Sequence, residues 1–418
     1  MEKTMNSREI FTESVINRNP NVRTLKWEFG YWGGCLNRWY KEGLPKKNRA
    51  PVPTEYRDMT DSLYTYAWNC ENKYIKEGEY PNGYALCAGN MYYPNQGFAL
   101  DSDVRDYFGL DAIQRRVDVN LFFEPIFEPR TIMETEEKLE YIDVDGARRI
   151  FLKESATIPT TMECVVKDRA SWAQVKEERL SIKDISKRFP DDWGQLVKEY
   201  KNRDYPLILG GYPMGFFGSL AHLLGYENLF FAYYDEPEMI HDMLDTLTEL
   251  WIAVFEEALQ HIEVDAAAIW EDISFGSGCM LPMPLMREFM LPYYKRMTDF
   301  LRGKGVDAII VDTDGNCWDI IPFFIECGAN GMYPFEVHCT MDVRKVREMY
   351  PDLIICGGIP KSEIELGPAR IDQLLEDIAP LLKSGGFIPF GDHFIPPEVS
   401  FENFKYYREK LNAMIEDI

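Results

Sequence analysis

The sequence predicts an α/β protein folded as a (β/α)8 TIM barrel, with an irregular N-terminal extension and a β-hairpin insertion. Three observations lead there. From residue 206 onward, short apolar runs alternate with helical stretches. The runs are continuous rather than polar-alternating, as strands buried on both faces must be. The early glycine-rich phosphate turn of an open doubly wound sheet is missing.

The totals agree with one large domain over 1–418. A chain of 418 residues, 46% hydrophobic and 14% aromatic, can bury a substantial core. Its formal charge of −24 argues against nucleic acid or an anionic membrane as partner, because both require clustered Lys and Arg. No apolar stretch approaches the roughly 20 residues that span a bilayer, and no basic start precedes an apolar leader. The expectation is a soluble, cytoplasmic protein. Its nine cysteines form no CxxC pair and are expected to be reduced thiols.

Residues 1–115 form the extension and supply the first strand, Thr24 to Phe29, which breaks at Gly30, Gly33 and Gly34. A short helix follows, ended by Gly43 and Pro45. Trp27, Tyr31, Trp32 and Trp39 crowd this turn, with Glu28 and Arg38 among them. They read either as core-filling aromatics or as the wall of a substrate pocket. Residues 117–167 carry alternating patterns around Asp145-Gly146, a strong hairpin signal, and are read as the insertion plus one more strand. The stretch 170–202 is helical and charged.

The barrel rhythm then runs through PLILGG (206–211), a long amphipathic helix at 237–262, VDAAAIWED (264–272) and VDAIIVDTD (306–314). It continues through NGMYPFE (330–336), DLIICGG (352–358) and GGFIPFGDH (385–393), with helices between and a last helix at 401–416. Parallel strands joined by crossover helices follow from this order.

The polar residues that end these strands are Glu271 and Asp272, Asp312 and Asp314, Glu336 with His338 near it, and Asp392 with His393. In a barrel, C-terminal strand ends share one mouth. Carboxylates gathered there need a cation or shared protons, which makes a divalent metal the economical expectation. One of the two aspartates after VDAIIV is explicable as a helix cap; the second is not.

The order VDAAAIWED, EFMLPYYKRM, VDTDGN, GANGMYPFE, ICGGIPKSEI and GGFIPFGDHFIPPEVSFENF resembles the uroporphyrinogen decarboxylase superfamily, nearest its cobalamin-dependent methyltransferase branch. The resemblance implies a (β/α)8 barrel. The decarboxylases' N-terminal Arg-containing RQAGRY-like segment is replaced here by WEFGYWGGCLNRWYKEGLP. In the methyltransferase branch an HxC pair and a late Cys hold zinc; those positions fall on Asp312, Asp314 and Asp392 or His393. The resemblance therefore implies a divalent metal of the zinc class, with harder ligands, held by Asp312, Asp314, Glu336, Asp392 and His393. Glu271, Asp312 and His393 are the candidate catalytic groups, and Trp27, Glu28, Tyr31, Trp32, Arg38 and Trp39 the candidate substrate wall. The implied activity is methyl transfer between a small methylated substrate and a corrinoid supplied by a partner protein. A decarboxylase or lyase acting on a small acid is the alternative. A metal-free glycoside-cleaving barrel using Glu271 and Glu336 is a further one.

Overall fold

Among the described residues, seven parallel strands follow one another around a single sheet in strict sequence order. They are β1 (Arg115–Arg116), β2 (Leu207–Gly210), β3 (Ala266–Trp270), β4 (Ile309–Asp312), β5 (Gly331–Tyr333), β6 (Ile354–Cys356) and β7 (Phe387–Ile388). Each pairs in parallel with the next. The computed structural model describes residues 5–47, 85–87, 101–152 and 159–418.

Residues 24–30 occupy the eighth position. They form no ladder with the seven-strand sheet (Gly30 instead begins a short strand, Gly30–Trp32, paired antiparallel with Ala85–Cys87), yet they bond to both free edges of the sheet. Toward β1, the Asp111 amide donates to the Lys26 carbonyl at 3.2 Å and the Trp27 indole to the Ala112 carbonyl at 3.0 Å. Toward β7, the Thr24 hydroxyl donates to the Phe387 carbonyl at 2.5 Å and the Ile395 amide to the Gly30 carbonyl at 2.9 Å. The sheet thus closes into the (β/α)8 barrel, its last stave held by side chains and isolated bonds.

Inward residues of alternate positions fill the barrel: Ile208, Ala266, Ala268, Ala308, Ile310, Ile354, Cys356, Ile388 and Phe390. Their neighbours Leu207, Leu209, Ala267, Ile269, Ile309, Val311 and Ile355 pack outward against the helices. The small alanines leave room for Trp27 of the eighth stave and for Phe11 and Val15 of the N-terminal segment, which join the same cluster. That segment is the helical turn Ser7–Ile10 running into the wider turn Phe11–Ile16. It stops the N-terminal end of the barrel, the Arg8 amide bonding to Asp204 and the Gly386 amide to Ser14. The opposite end is left as the mouth.

A separate antiparallel sheet of Arg130–Glu134, Lys138–Ile142, Arg148–Leu152 and Thr160–Glu163 stands between β1 and β2 in sequence. Its central turn passes through Gly146 at φ 78°. Arg149, with no exposed side-chain surface, binds Asp143 at 2.9 Å and Asp145 at 2.6 Å beneath it. Among the described residues no helix is long and apolar enough to cross a membrane. The described cysteine side chains, at 35, 164, 279, 317, 327, 339 and 356, are free thiols; those of Cys70 and Cys87 lie outside the described residues.

Candidate active site at the barrel mouth

Strand alternation decides which strand-end residues meet. On β4, Ala308 and Ile310 face inward, so Asp312 does too, level with Trp270 of β3 and Tyr333 of β5. The chain then turns at Gly315, with φ 80°, whose amide donates to Glu336 at 3.0 Å. A Cβ there would lie 2.6 Å from the Ser274 carbonyl oxygen and 2.7 Å from that of Phe275. Glycine alone permits the approach.

Four carboxyl groups interact at this point: Asp272, Asp312, Asp314 and Glu336. Burial, then the charges of Asp314, Asp312 and Glu336, push Asp272 well above the carboxylate range. Burial and Asp314 raise Asp312 to about 8, against a hydrogen bond with Tyr333 and the charge of Arg116. Burial acts to raise Asp314 as well, but His393, Lys361 and His338 outweigh it and hold this group below its ordinary value. Like charges so close cannot all ionise, and the cluster separates into proton-bearing and ionised members. Backbone strain gathers here also: Asp272, Phe335 and Thr340 are three of the four described non-glycine residues with positive φ.

His393 lies with its Nε2 3.3 Å from Asp314 Oδ2 and its ring 5.0 Å from that of Phe29. Glu336 receives the Lys361 ammonium at 3.2 Å. Its carboxylate, the His338 ring and the Cys339 sulfur each offer one ligand atom, all within 4.8 Å of one another. Oxygen, imidazole nitrogen and sulfur together fit a zinc-class divalent ion. Burial and Glu336 raise the Cys339 thiol to about 11, so metal binding there would displace a proton.

The remaining sequence candidates are placed elsewhere. Glu271 shares the outward parity of Ala267 and Ile269, and is fully buried on the helix side. It accepts the amides of Phe216 (3.0 Å) and Phe217 (2.7 Å) and the Tyr294 hydroxyl (2.6 Å). It therefore fastens the loop after β2 and does not face Glu336. Asp392 spends both oxygens on backbone, accepting from Val337 at 2.8 Å and Lys361 at 2.9 Å. It ties together the loops after β5 and β6, which positions the mouth.

The aromatic segment divides in the same way. Trp27 stacks on Phe11 inside the barrel, and Tyr31 and Trp39 pack on Phe404 beneath the last helix. Glu28 is buried against the Gly391 amide (2.6 Å), Tyr407 (3.2 Å) and Arg408 (3.6 Å). Arg38 holds Glu42 and the carbonyls of Pro397 and Glu398. Of these candidates Trp32 reaches the mouth, its ring 4.9 Å from Phe394, which in turn touches His393. Cys339, Lys361, Arg116 and Tyr333 are not among the sequence candidates. All lie at the ends of barrel strands or just beyond them, and that position was the available signal.

A parallel barrel with an acidic, partly protonated mouth defines a class of site rather than a reaction. The family comparison is more specific. Residues 182–413, more than half the chain, match the family model for uroporphyrinogen decarboxylase (URO-D). The chain belongs to that family of enzymes. It is 28% identical over 253 residues to the uroporphyrinogen decarboxylase of Chlorobium phaeobacteroides, covering 56% of this chain and 67% of the relative. To that of Chlorobium limicola it is 26% identical over 245 residues, covering 54% and 66%. The chain thus spans about two thirds of these relatives' length. Among solved structures, the B12-independent methionine synthase of Shewanella sp. W3-18-1 aligns at TM-score 0.32 and 10% identity, over 76% of this chain and 85% of that one. A putative vitamin-B12 independent methionine synthase from Listeria monocytogenes aligns at 0.30 and 13%, over 53% and 69%. These scores are low, and the barrel rests on its own strand pairing.

Proposed function

We propose that the chain is a metal-assisted methyltransferase, moving a methyl group between a small methylated substrate (methoxy compound, amine or thiol) and a corrinoid-binding partner protein. The observation that carries this reading is the Glu336–His338–Cys339 donor group beside three further carboxyls at one strand edge. A divalent ion bound there would draw electron density from the methylated heteroatom.

The chain's own residues supply the rest. The heteroatom keeps the electron pair of the broken carbon bond and needs a proton. His393, oriented by Asp314 at 3.3 Å, is placed to deliver it. Asp312, which holds its proton up to about 8, can hydrogen-bond the substrate from the barrel side. Lys361 offsets Glu336, while Phe29, Trp32 and Phe394 give the mouth an apolar side. A substrate carrying many carboxylates suits this acidic mouth poorly.

A decarboxylase or lyase on a small acid is the second reading. The relatives' names and two mouth cations, Arg116 near Asp312 and Lys361 on Glu336, favour it. Free cob(I)alamin, monitored by visible absorbance with methoxyarenes, methylamines, methanol and methylthiols, separates the two. Methylcobalamin formation supports methyl transfer. Its absence across the panel, with carbon dioxide released from a small acid, establishes the second reading.

A further inference from the structure

Glu336 is the carboxylate of the donor group, and one of its oxygens already carries a cation. Lys361 Nζ lies 3.2 Å from Oε1, while the Gly315 amide donates to Oε2 at 3.0 Å. The Cys339 thiol turns to Oε2 as well, at 3.7 Å. Both partners of the ion pair are well shielded, the Lys361 side chain 17% exposed and that of Glu336 14%.

The lysine is anchored at its base. Its own amide donates to Asp392 at 2.9 Å, within the clamp that joins the loops after β5 and β6. The root is therefore fixed by a backbone bond, and the four-carbon stem leaves the ammonium free to turn about it. A second carboxylate is at hand, because Asp314 lies within electrostatic reach of the same ammonium. Asp392 is less available, since both its oxygens are spent on backbone amides.

A divalent ion on Glu336, His338 and Cys339 would add two positive charges to the carboxylate that holds the ammonium. In a shielded site such like charges repel strongly. We infer that Lys361 is a built-in competitor of the metal: its ammonium occupies Glu336 until a divalent ion displaces it toward Asp314, so this side chain sets how tightly the site holds metal. The inference rests on the metal-assisted reading and adds the residue that governs loading. An ion held through Glu336 alone would gain little over the ammonium it replaces. One that also engages the imidazole and the thiolate gains two further donors. If Lys361 served only to hold Glu336 in place, removing it would loosen the site instead.

The test is cobalt(II) titration of the intact chain, read from the near-ultraviolet sulfur-to-cobalt band, with affinities from chelator competition. Cys339→Ser should abolish that band. Lys361→Met keeps the length of the side chain and the backbone bond to Asp392 while removing the charge. It should bind cobalt about tenfold or more tighter than the wild type, because the metal no longer has a cation to displace. Lys361→Arg, which keeps the charge, should bind no tighter than the wild type. Cobalt binding by Lys361→Met that is equal to the wild type's or weaker overturns the inference and leaves the metal-assisted reading standing. Binding by Lys361→Met but not by the wild type would keep the inference and end that reading, and no binding by either would end both. Should Lys361→Met fail to fold, a crystal structure of the cobalt-loaded wild type decides. The ammonium should then lie beyond about 4 Å from both Glu336 oxygens, past ion-pair distance. A pair still intact overturns the inference.

Discussion

His393 Nε2 stands 3.3 Å from Asp314 Oδ2 and so joins the chain beyond β7 to the chain beyond β4. With Asp392 clamping the loops after β5 and β6, four successive strand ends are fastened into one rim. The acid–base properties of the mouth follow from that rim rather than from any single residue.

Asp314→Asn should lower the pKa of Asp312. Burial and the Asp314 charge together hold Asp312 near 8, and the substitution removes the second cause while keeping the shape. Carboxyl bands in pH-difference infrared spectra of the variant report the change. An Asp312 that still titrates near 8 would show that burial alone sets its acidity.

His338→Ala and Cys339→Ala should each weaken divalent metal binding by at least an order of magnitude, because each removes one of few donors. Metal content after purification without chelator, followed by competition with a chromogenic chelator, measures this. A wild type that takes up no metal under any loading condition would refute the metal-assisted reading.

Arg149→Leu should destabilise the protein by about 3–5 kcal/mol, since it leaves Asp143 and Asp145 buried without their shared cation. Chemical denaturation at pH 7 gives the number. A loss under about 1 kcal/mol would mean that the carboxyls find other partners or protonate freely.

Glu271→Gln should alter how stability depends on pH. Burial raises the Glu271 carboxyl from 4.5 to about 7, opposed by its bonds to Tyr294 and the amides of Phe217, Phe216 and Gly218. The native state therefore holds a proton that the unfolded chain releases between those two values. This contribution is complete below pH 4.5 and is lost as pH rises through 7. The wild type's stability relative to the variant should fall between pH 5 and 7.5 and then level off. Melting curves of both proteins across that range decide it, and parallel profiles would rule it out. Turnover should change less than stability, because Glu271 faces the helices.

Much of this was legible in the chain. Continuous apolar runs such as VDAIIV can be satisfied only by burial on both faces, and their order around the sheet follows from short crossover helices. The acidic edge was legible for the same reason: Asp312, Asp314 and Glu336 end or follow strands whose C-terminal ends share one mouth. Strand parity was also available and would have sent Glu271 outward with Ala267 and Ile269. The 24–29 segment was read as a strand. Its neighbours hold it mainly through side chains, which no local pattern reveals.

The sequence by itself determined the barrel and the edge on which its polar groups collect, because hydrophobic periodicity and connection length are local properties. Tertiary structure alone decided which of those groups face one another. It made Asp392 a clamp, Glu28 a buried partner of Arg408, and the HisCys dipeptide a donor pair beside Glu336. Those roles depend on ångström-scale distances between residues tens to hundreds of positions apart. Burial and neighbouring charge then set how many of the mouth's carboxyls keep their protons.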